Sequence, residues 1–310
     1  MVGASALIAI DWGTSRARAY WLDAHGQVQH EKSAPLGVLS VPPGGFAAAL
    51  AELLAGGPGD RAPMLACGMV GSRQGWIEAP YRECPADADA IASALSPVPG
   101  TRLAIVPGLI CRDSDGAPDV MRGEETQVLG ALEAGAHAAT ARVVVLPGTH
   151  SKWTVVREER IETFATFLTG EMYAVLREHS ILGRLASAGD DPVALEAGVR
   201  RSLATNAELS HDLFSARTFA LTGELAPGAV GDYLSGLLLG AELAAGRRWL
   251  HRQRALGESV LLIGDPELCE RYRRGFAIAG LEATVGSPHA AARGLWRLAR
   301  CARIVDPVLP

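Results

Sequence analysis

The chain opens on four apolar residues, Leu7 to Ile10, that run into a carboxylate at Asp11 and then a turn of small residues. A short apolar run bounded in this way predicts a buried strand. Ala17 to Asp23 predicts a second strand and Val28 to Ser33 a third, with His25-Gly26 as a hairpin turn where glycine tolerates positive φ. Two hairpins in succession argue against a plain βαβαβ dinucleotide fold. Pro42-Pro43-Gly44-Gly45 breaks the chain, and the Ala/Leu pattern of Phe46 to Leu54 predicts a helix. Met64 to Cys67 and Leu103 to Val106 read as short buried strands, and Ala86 to Leu95 as a helix closed by Pro97 and Pro99. Gly108 to Val120 reads as a polar loop carrying Asp113, Asp115 and Asp119, but its glycine and glutamate spacing does not suit a calcium loop. A further helix starts at Glu124.

The second half begins the same way. Arg142 to Leu146 predicts a buried strand, and Trp153 to Val156 and Ile161 to Phe167 predict two more, joined by the charged turn Arg157 to Arg160. Helices are expected over Gly170–Ser180, from Asp191-Pro192 onward, over Asn206–Ala216, and over the long Leu/Ala-rich stretch Gly228–Leu250. Ser235, Gly236, Gly240 and Ala244 give that long helix a small-residue stripe suited to close packing. Ser259 to Ile263 is a strand, Glu267 to Ala279 a helix, Thr284 to Gly286 a short strand and His289 to Cys301 a final helix.

The composition suits a globular protein of one large or two medium domains: 310 residues, 48% hydrophobic, with a mean hydropathy of +0.15. With a net charge of −5 and no basic stripe, no nucleic-acid partner is expected. No run of roughly 18 apolar residues predicts a membrane span, and the first residues lack the pattern of a signal peptide. The 5 cysteines form no CxxC pair and read as reduced packing thiols, so a cytoplasmic setting is expected. Lys32 and Lys152 are the sole lysines among 29 Lys and Arg, and a retained lysine marks a candidate compact point charge. Lys32, beside Glu31, reads as plain surface.

Candidate chemistry gathers in four stretches. In Asp11-Trp12-Gly13-Thr14-Ser15-Arg16, Gly13 lets a phosphate approach the backbone, and Thr14 and Ser15 offer hydroxyls and N–H groups. Asp11 is placed to hold a hydrated Mg²⁺. Taken alone, the stretch reads equally well as an ordinary hairpin with a solvated aspartate. Pro147-Gly148-Thr149-His150-Ser151-Lys152 repeats it: a hydrophobic strand feeds a Gly-Thr turn with hydroxyls and a cation. Two such turns in two halves are far more specific than either one. In Gly68 to Trp76, Ser72 adds a hydroxyl, Arg73 can fork onto a carboxylate, Gln74 can bond hydroxyls, and Trp76 either stacks on a sugar face or plugs the core. Tyr81, Arg82 and Glu83 can line the same mouth. In Met121 to Leu132, Arg122 precedes Gly123-Glu124-Glu125, where the carboxylates serve either the helix dipole or proton abstraction from a hydroxyl.

On these residues the chain resembles the sugar kinase, Hsp70 and actin superfamily, and within it the 2-dehydro-3-deoxygalactonokinase family. The resemblance rests on the two Gly-Thr turns, Gly71-Ser72-Arg73-Gln74-Gly75-Trp76 and Met121-Arg122-Gly123-Glu124-Glu125-Thr126-Gln127. Phe167-Leu168-Thr169-Gly170-Glu171-Met172 and Ser235-Gly236-Leu237-Leu238-Leu239-Gly240-Ala241-Glu242 extend it over most of the chain. It implies an α/β fold of two ribonuclease-H-like domains with the active site in the cleft between them. Residues 1–136, joined by the C-terminal helix 289–310, would form the first domain and residues 137–288 the second. It implies ATP and Mg²⁺ as cofactors and phosphorylation of 2-dehydro-3-deoxy-D-galactonate to its 6-phosphate in galactonate catabolism. Asp11 would orient Mg²⁺; Gly13, Thr14, Ser15, Arg16, Gly148, Thr149, His150, Ser151 and Lys152 would hold the phosphates. Gly264-Asp265 would stand at the adenosine motif, in place of a longer glycine run. Lys152 would meet either phosphate or the substrate carboxylate. The superfamily's base is an Asp after Gly at a helix start; here that pair is Gly123-Glu124, with Glu125 as the rival base. Ser72, Arg73, Gln74, Trp76 and Arg122 would bind the sugar acid. The expected partners are ATP and this small molecule, and a homodimer stays open. A kinase for another sugar acid, such as 2-dehydro-3-deoxygluconate, and a non-catalytic ATP-binding regulator are the alternatives.

Overall fold

A computed structural model describes residues 5–58, 61–133, 142–205 and 208–305, and the described chain divides into two compact units. The first holds the described residues before position 139, Val156–Thr163 and the chain from Ser287. The second holds the described residues 142–155 and Phe164–Gly286.

The first unit is laid down as β1 (Leu7–Trp12), β2 (Ala17–Leu22), β3 (Val28–Ala34), α1 (Phe46–Leu54), β4 (Met64–Cys67), β5 (Tyr81–Glu83), α2 (Ala88–Ala92), β6 (Ser96–Pro97), β7 (Leu103–Ile105), β8 (Gly108–Arg112), β9 (Pro118–Met121) and α3 (Glu124–Glu133). Its main sheet has the order β3-β2-β1-β4-β7-β6, with β1 antiparallel to β2 and parallel to β4. Central β1 is covered on both faces, so its apolar residues run without alternation, as expected of a buried parallel strand. Asp11 is its one residue that is not fully buried, and it pairs in register with Cys67 of β4 and Arg18 of β2.

The second unit is built from β10 (Arg142–Leu146), β11 (Ser151–Arg157) and β12 (Arg160–Phe167), whose joining ends Val156–Thr163 are grouped with the first unit, and from α4 (Thr169–His179), α5 (Pro192–Ala204), α6 (Leu209–Thr222), α7 (Val230–Arg252), β13 (Val260–Leu262), α8 (Pro266–Ile278) and β14 (Ala283–Val285). Its sheet order, β12-β11-β10-β13-β14, repeats β3-β2-β1-β4-β7 of the first unit. Each sheet is a three-strand meander with further strands added beyond its first strand, three in the first unit and two in the second. Last comes α9 (Ala290–Cys301), which belongs to the first unit and packs on α3. Glycines make that crossing tight: a Cβ on Gly294 would stand 1.8 Å from the Thr126 carbonyl oxygen.

Several expectations need correction. Gly108–Val120 is not a polar loop but the antiparallel pair β8 and β9. Leu109 and Cys111 face the core, while Asp113 Oδ1 accepts the Asp115 and Ala117 N–H groups and so caps the turn between the strands. The helix read over Ala86–Leu95 is confined to α2 because Asp87 caps its start, accepting the Ala90 N–H, and Ser96-Pro97 already pairs with β7. Ser151 and Lys152 lie in strand β11, not in the turn before it. The helix read from Asn206, a residue outside the described ones, is observed as α6, and the boundary set between 136 and 137 also falls outside them. Lys32 is more than surface, since its Nζ donates to the carbonyls of Glu52 and Ala55 and closes the C-terminus of α1.

Candidate active site

In the first unit three stretches far apart in sequence stack backbone on backbone. A Cβ on Gly68, just past β4, would lie 2.7 Å from the Trp12 carbonyl oxygen at the end of β1. A Cβ on Gly123, just before α3, would lie 3.0 Å from the Gly68 Cα. Both glycines have positive φ, +93° and +104°, which suits them to the sharp turns made here. The β1 tip, the loop after β4 and the start of α3 therefore form one floor.

Carboxylates crowd that floor. Burial raises the Cys67 thiol well above its ordinary range, and the charges of Asp11, Glu125 and Glu124 raise it further. Burial also raises Asp11, opposed by the Arg18 guanidinium 3.9 Å away. Glu125 is wholly buried, accepting the Gly123 N–H at 2.6 Å and the Thr126 hydroxyl at 2.9 Å. Burial and then the neighbouring Glu124 push its carboxyl up to about 8, so it carries a proton at neutral pH. Glu124 is less buried, and its Oε2 accepts the Arg122 N–H at 3.0 Å.

The turn after β1 is held from behind. Gly13 and Thr14 carbonyls accept the Val38 and Leu39 N–H groups, and the Trp12 indole donates to the Leu36 carbonyl. Thr14, Ser15 and Arg16 are left exposed. Trp76 stacks on Phe46 with ring centroids 6.0 Å apart and meets Trp12 edge-on. Phe46, Gln74 and Trp76 line a cavity of about 390 Å³ together with Val41 and Pro43. Trp76 is thus packed against the core on one side and borders a cavity on another. Arg73 is 87% exposed and pairs loosely with Glu78 at 3.5 Å.

Arg122 is buried. Its Nη2 donates to the Ala79 carbonyl, and the Tyr81 ring lies 4.5 Å from its guanidinium carbon. Its Nε and Nη1, and the Ser72 hydroxyl, are buried without a hydrogen-bond partner among the described residues. Gly71 joins the two groups: a Cβ there would lie 3.0 Å from Arg122 Nη1.

The second unit builds its turn in a similar way. Thr149 and His150 are exposed between β10 and β11. The Thr149 carbonyl accepts the Glu171 N–H, and His150 Nε2 meets Glu171 Oε2 at 2.5 Å. A Cβ on Gly170 would lie 2.4 Å from the Gly148 carbonyl oxygen, so α4 begins directly on the turn. Gly264 also approaches, its Cβ position 3.4 Å from the Pro147 carbonyl oxygen. Asp265 caps α8, accepting the Glu267 and Leu268 N–H groups.

Two residues offered to phosphate on sequence grounds are engaged elsewhere. Ser151 is fully buried and donates to Glu242 at 2.7 Å, and Lys152 Nζ donates to the Thr166 hydroxyl at 2.7 Å. Glu242 itself escaped the site reading. Its one sequence signal is a carboxylate set into the small-residue stripe of an apolar helix.

The repeated mixed sheet, each copy with a Gly-Thr turn after its first strand, is the α/β architecture of the actin-like ATPase and sugar kinase fold. The crystal structure of a Sinorhizobium meliloti protein assigned as a 2-dehydro-3-deoxygalactonokinase matches with a TM-score of 0.85 and 35% identity, covering 95% of this chain and 98% of that one. Residues 11–298 match the family described as 2-keto-3-deoxy-galactonokinase, and the chain belongs to that family of ATP-using kinases. The Escherichia coli (strain K12) 2-dehydro-3-deoxygalactonokinase is 37% identical over 278 residues, 89% of this chain and 91% of that protein. DgoK1 of Rhizobium meliloti (strain 1021), assigned the same activity, is 36% identical, covering 96% of this chain and 100% of its own. The fold extends to more distant proteins: the activator of 2-hydroxyisocaproyl-CoA dehydratase from Clostridium difficile superposes with a TM-score of 0.51 at 10% identity. Among the described residues no helix is long and apolar enough to cross a membrane.

Proposed function

We propose that the protein transfers the γ-phosphoryl group of ATP to the terminal hydroxyl of 2-dehydro-3-deoxy-D-galactonate, giving the 6-phosphate. The observation that carries this reading beyond family membership is the floor of the first unit, where Asp11 pairs in register with Cys67 and Gly123, just before Glu124, stacks on Gly68. Phosphoryl transfer leaves the protein mainly positioning, charge placement and one proton to accept.

Glu124 is the proton acceptor in this reading. It is the less buried of the paired glutamates, whereas Glu125 already holds a proton at neutral pH and its oxygens are taken by Gly123 and Thr126. Glu125 shapes the start of α3. Gly13, Thr14, Ser15 and Arg16 in the first unit, and Gly148, Thr149 and His150 in the second, bind phosphate oxygens; Ser151 and Lys152 brace the second turn from within β11.

Among the described residues no three His, Cys, Asp or Glu side chains could hold a metal ion together. A magnesium ion bound mostly through water and phosphate needs only one or two carboxylates, and Asp11, partly exposed at a strand end, fits that need. Asp11 would hold this hydrated ion, which when bound supplies neutralising charge at the phosphates.

Arg122 and Ser72 provide the preference for an acid. A buried guanidinium with two unpaired nitrogens is costly unless an anion answers it, and a substrate carboxylate is such an anion. Gln74 and Trp76, on the cavity wall, meet the hydroxylated carbon chain. The test is ADP release across a panel of 2-keto-3-deoxy acids and neutral sugars. Turnover on 2-dehydro-3-deoxygalactonate well above the rest is expected, and turnover confined to neutral sugars would overturn the proposal.

A further inference from the structure

Glu242 lies on α7, 3% exposed, and its carboxylate gathers four donors. Oε1 accepts the Ser151 hydroxyl and the Trp153 indole N–H, each at 2.7 Å. Oε2 accepts the Tyr272 hydroxyl at 2.7 Å and the Thr169 hydroxyl. Burial raises its carboxyl above the ordinary range, and these four donors, two on each oxygen, oppose that rise. Packing alone does not call for such a group, because Leu239 and Leu243 beside it on α7 are ordinary core residues.

The placing of the donors is informative. Ser151 is the first residue of β11, directly after the Gly148–His150 turn. Thr169 is the first residue of α4, and its neighbour Gly170 meets the Gly148 carbonyl. One carboxylate therefore grips the residue that leaves the turn and the residue that opens the helix resting on it.

We propose that Glu242 is a positioning residue for nucleotide binding: through Ser151 and Thr169 it fixes the turn of the second unit in the geometry that receives an ATP phosphate. The inference rests on reading that turn as a phosphate site. A phosphate held by backbone N–H groups depends on their placement to a fraction of an ångström. Glu242 touches neither ATP nor substrate and acts only through the two side chains.

Glu242→Gln is the informative substitution. The Trp153 indole can only donate, so the amide oxygen must face it and Ser151. The amide NH₂ then faces Thr169 and Tyr272, whose hydroxyls can rotate to accept. The fold survives, but the hydrogen bond at Thr169 reverses. With the purified full-length enzyme, and ATP and sugar acid varied separately, Glu242→Gln should raise KM for ATP by about 3- to 10-fold, the worth of roughly one neutral hydrogen bond. KM for the sugar acid should stay within about twofold. Ser151→Ala and Thr169→Val should reproduce this pattern, which keeps the test open should Glu242→Gln fold poorly. Asp212→Asn is the structural control. It removes another buried carboxylate of the same unit, one paired with Arg201 and Thr205, and should lower Tm without moving KM for ATP.

A lower Tm with KM for ATP unchanged in Glu242→Gln, Ser151→Ala and Thr169→Val would overturn the inference and leave Glu242 a core residue. Gly148→Val tests the underlying reading separately. A Cβ there meets no atom within 4 Å, so the substitution adds bulk at the turn without a Cβ clash. If Gly148→Val leaves KM for ATP unchanged, the phosphate reading of the turn falls and the inference falls with it. If Gly148→Val weakens ATP and the Glu242 set does not, only the inference falls.

Discussion

Gly68 and Gly123 meet backbone to backbone, with the Cβ position of Gly123 only 3.0 Å from the Gly68 Cα. Neither partner is the end of a flexible side chain, so nothing nearby yields cheaply to added bulk. Gly123 also sits at φ +104°, where an L side chain is strained. Gly123→Ala is therefore expected to lower stability in urea denaturation by about 1–3 kcal/mol and to shift the start of α3, reducing kcat. Gly56→Ala carries the positive φ but no clash, since no atom lies within 4 Å of its Cβ position. It should be milder and leave kcat intact. Equal losses in the two variants would mean that backbone strain alone, not the close approach, fixes Gly123.

Glu125 makes stability pH-dependent in a direction set by its raised carboxyl. The folded value is about 8 against an ordinary 4.5. Below pH 4.5 both folded and unfolded chains hold the proton, and the folded state has its full relative stability. Between 4.5 and 8 the unfolded chain releases the proton and the folded chain keeps it, so stability falls as pH rises. At about 1.4 kcal/mol per pKa unit, the whole gap bounds the effect at roughly 5 kcal/mol. Glu125→Gln keeps an acceptor for the Gly123 N–H, turns its amide NH₂ to Thr126, whose hydroxyl rotates to accept, and removes the titration. Its Tm relative to the parent should climb from pH 5 to pH 8.5. A difference that stays constant with pH would mean that Glu125 is ionised throughout.

Glu124→Gln should lower kcat by about 10²- to 10⁴-fold, the usual contribution of a positioned base, with ATP binding kept. Single-turnover assays and nucleotide titration separate the two. A normal kcat would move proton acceptance away from Glu124.

Arg122→Met removes the buried guanidinium while retaining much of its stem. It should lower kcat/KM for the keto-deoxy acid by roughly 10- to 150-fold, the worth of a charged hydrogen bond at about 1.5–3 kcal/mol. KM for ATP should hold. An unchanged kcat/KM would separate Arg122 from carboxylate recognition and leave it a structural prop for Ala79 and Tyr81.

Much of the architecture was legible because strands and turns write local patterns. The apolar runs at Leu7–Ile10 and Arg142–Leu146, each followed by a Gly-Thr turn, marked the two copies of one sheet before any pairing was known. What escaped depends on contacts across long sequence gaps. Glu242 reaches Ser151 over 91 positions, and no periodicity records a hydrogen bond of that span. Adjacent Glu124 and Glu125 look equivalent as letters, and only their different burial separates a candidate base from a protonated brace. From sequence alone Ser151 and Lys152 belong to the turn, because where a turn ends depends on where strand pairing begins. In Gly108–Val120 three aspartates hid the short alternation of Leu109 and Cys111.

Asp11 gives the last prediction. Burial raises its carboxyl above the ordinary range, so the ionised form is unfavourable in the folded protein, and the Arg18 charge 3.9 Å away only partly offsets this. An aspartate kept in such a place without a strong partner is better explained by function than by stability. Asp11→Asn preserves shape and removes the charge. Tm should stay level or rise, because a half-buried carboxylate whose ionised form is disfavoured is replaced by a neutral amide. The concentration of Mg²⁺ giving half-maximal turnover should rise, and kcat at saturating Mg²⁺ should fall by about tenfold or more, as expected when a point charge that orients the metal is lost. Activity lost while Tm is maintained would place Asp11 in the reaction and not in the fold. An unchanged magnesium dependence, with Tm lowered, would reverse that assignment and make the Asp11–Arg18 pair a structural one.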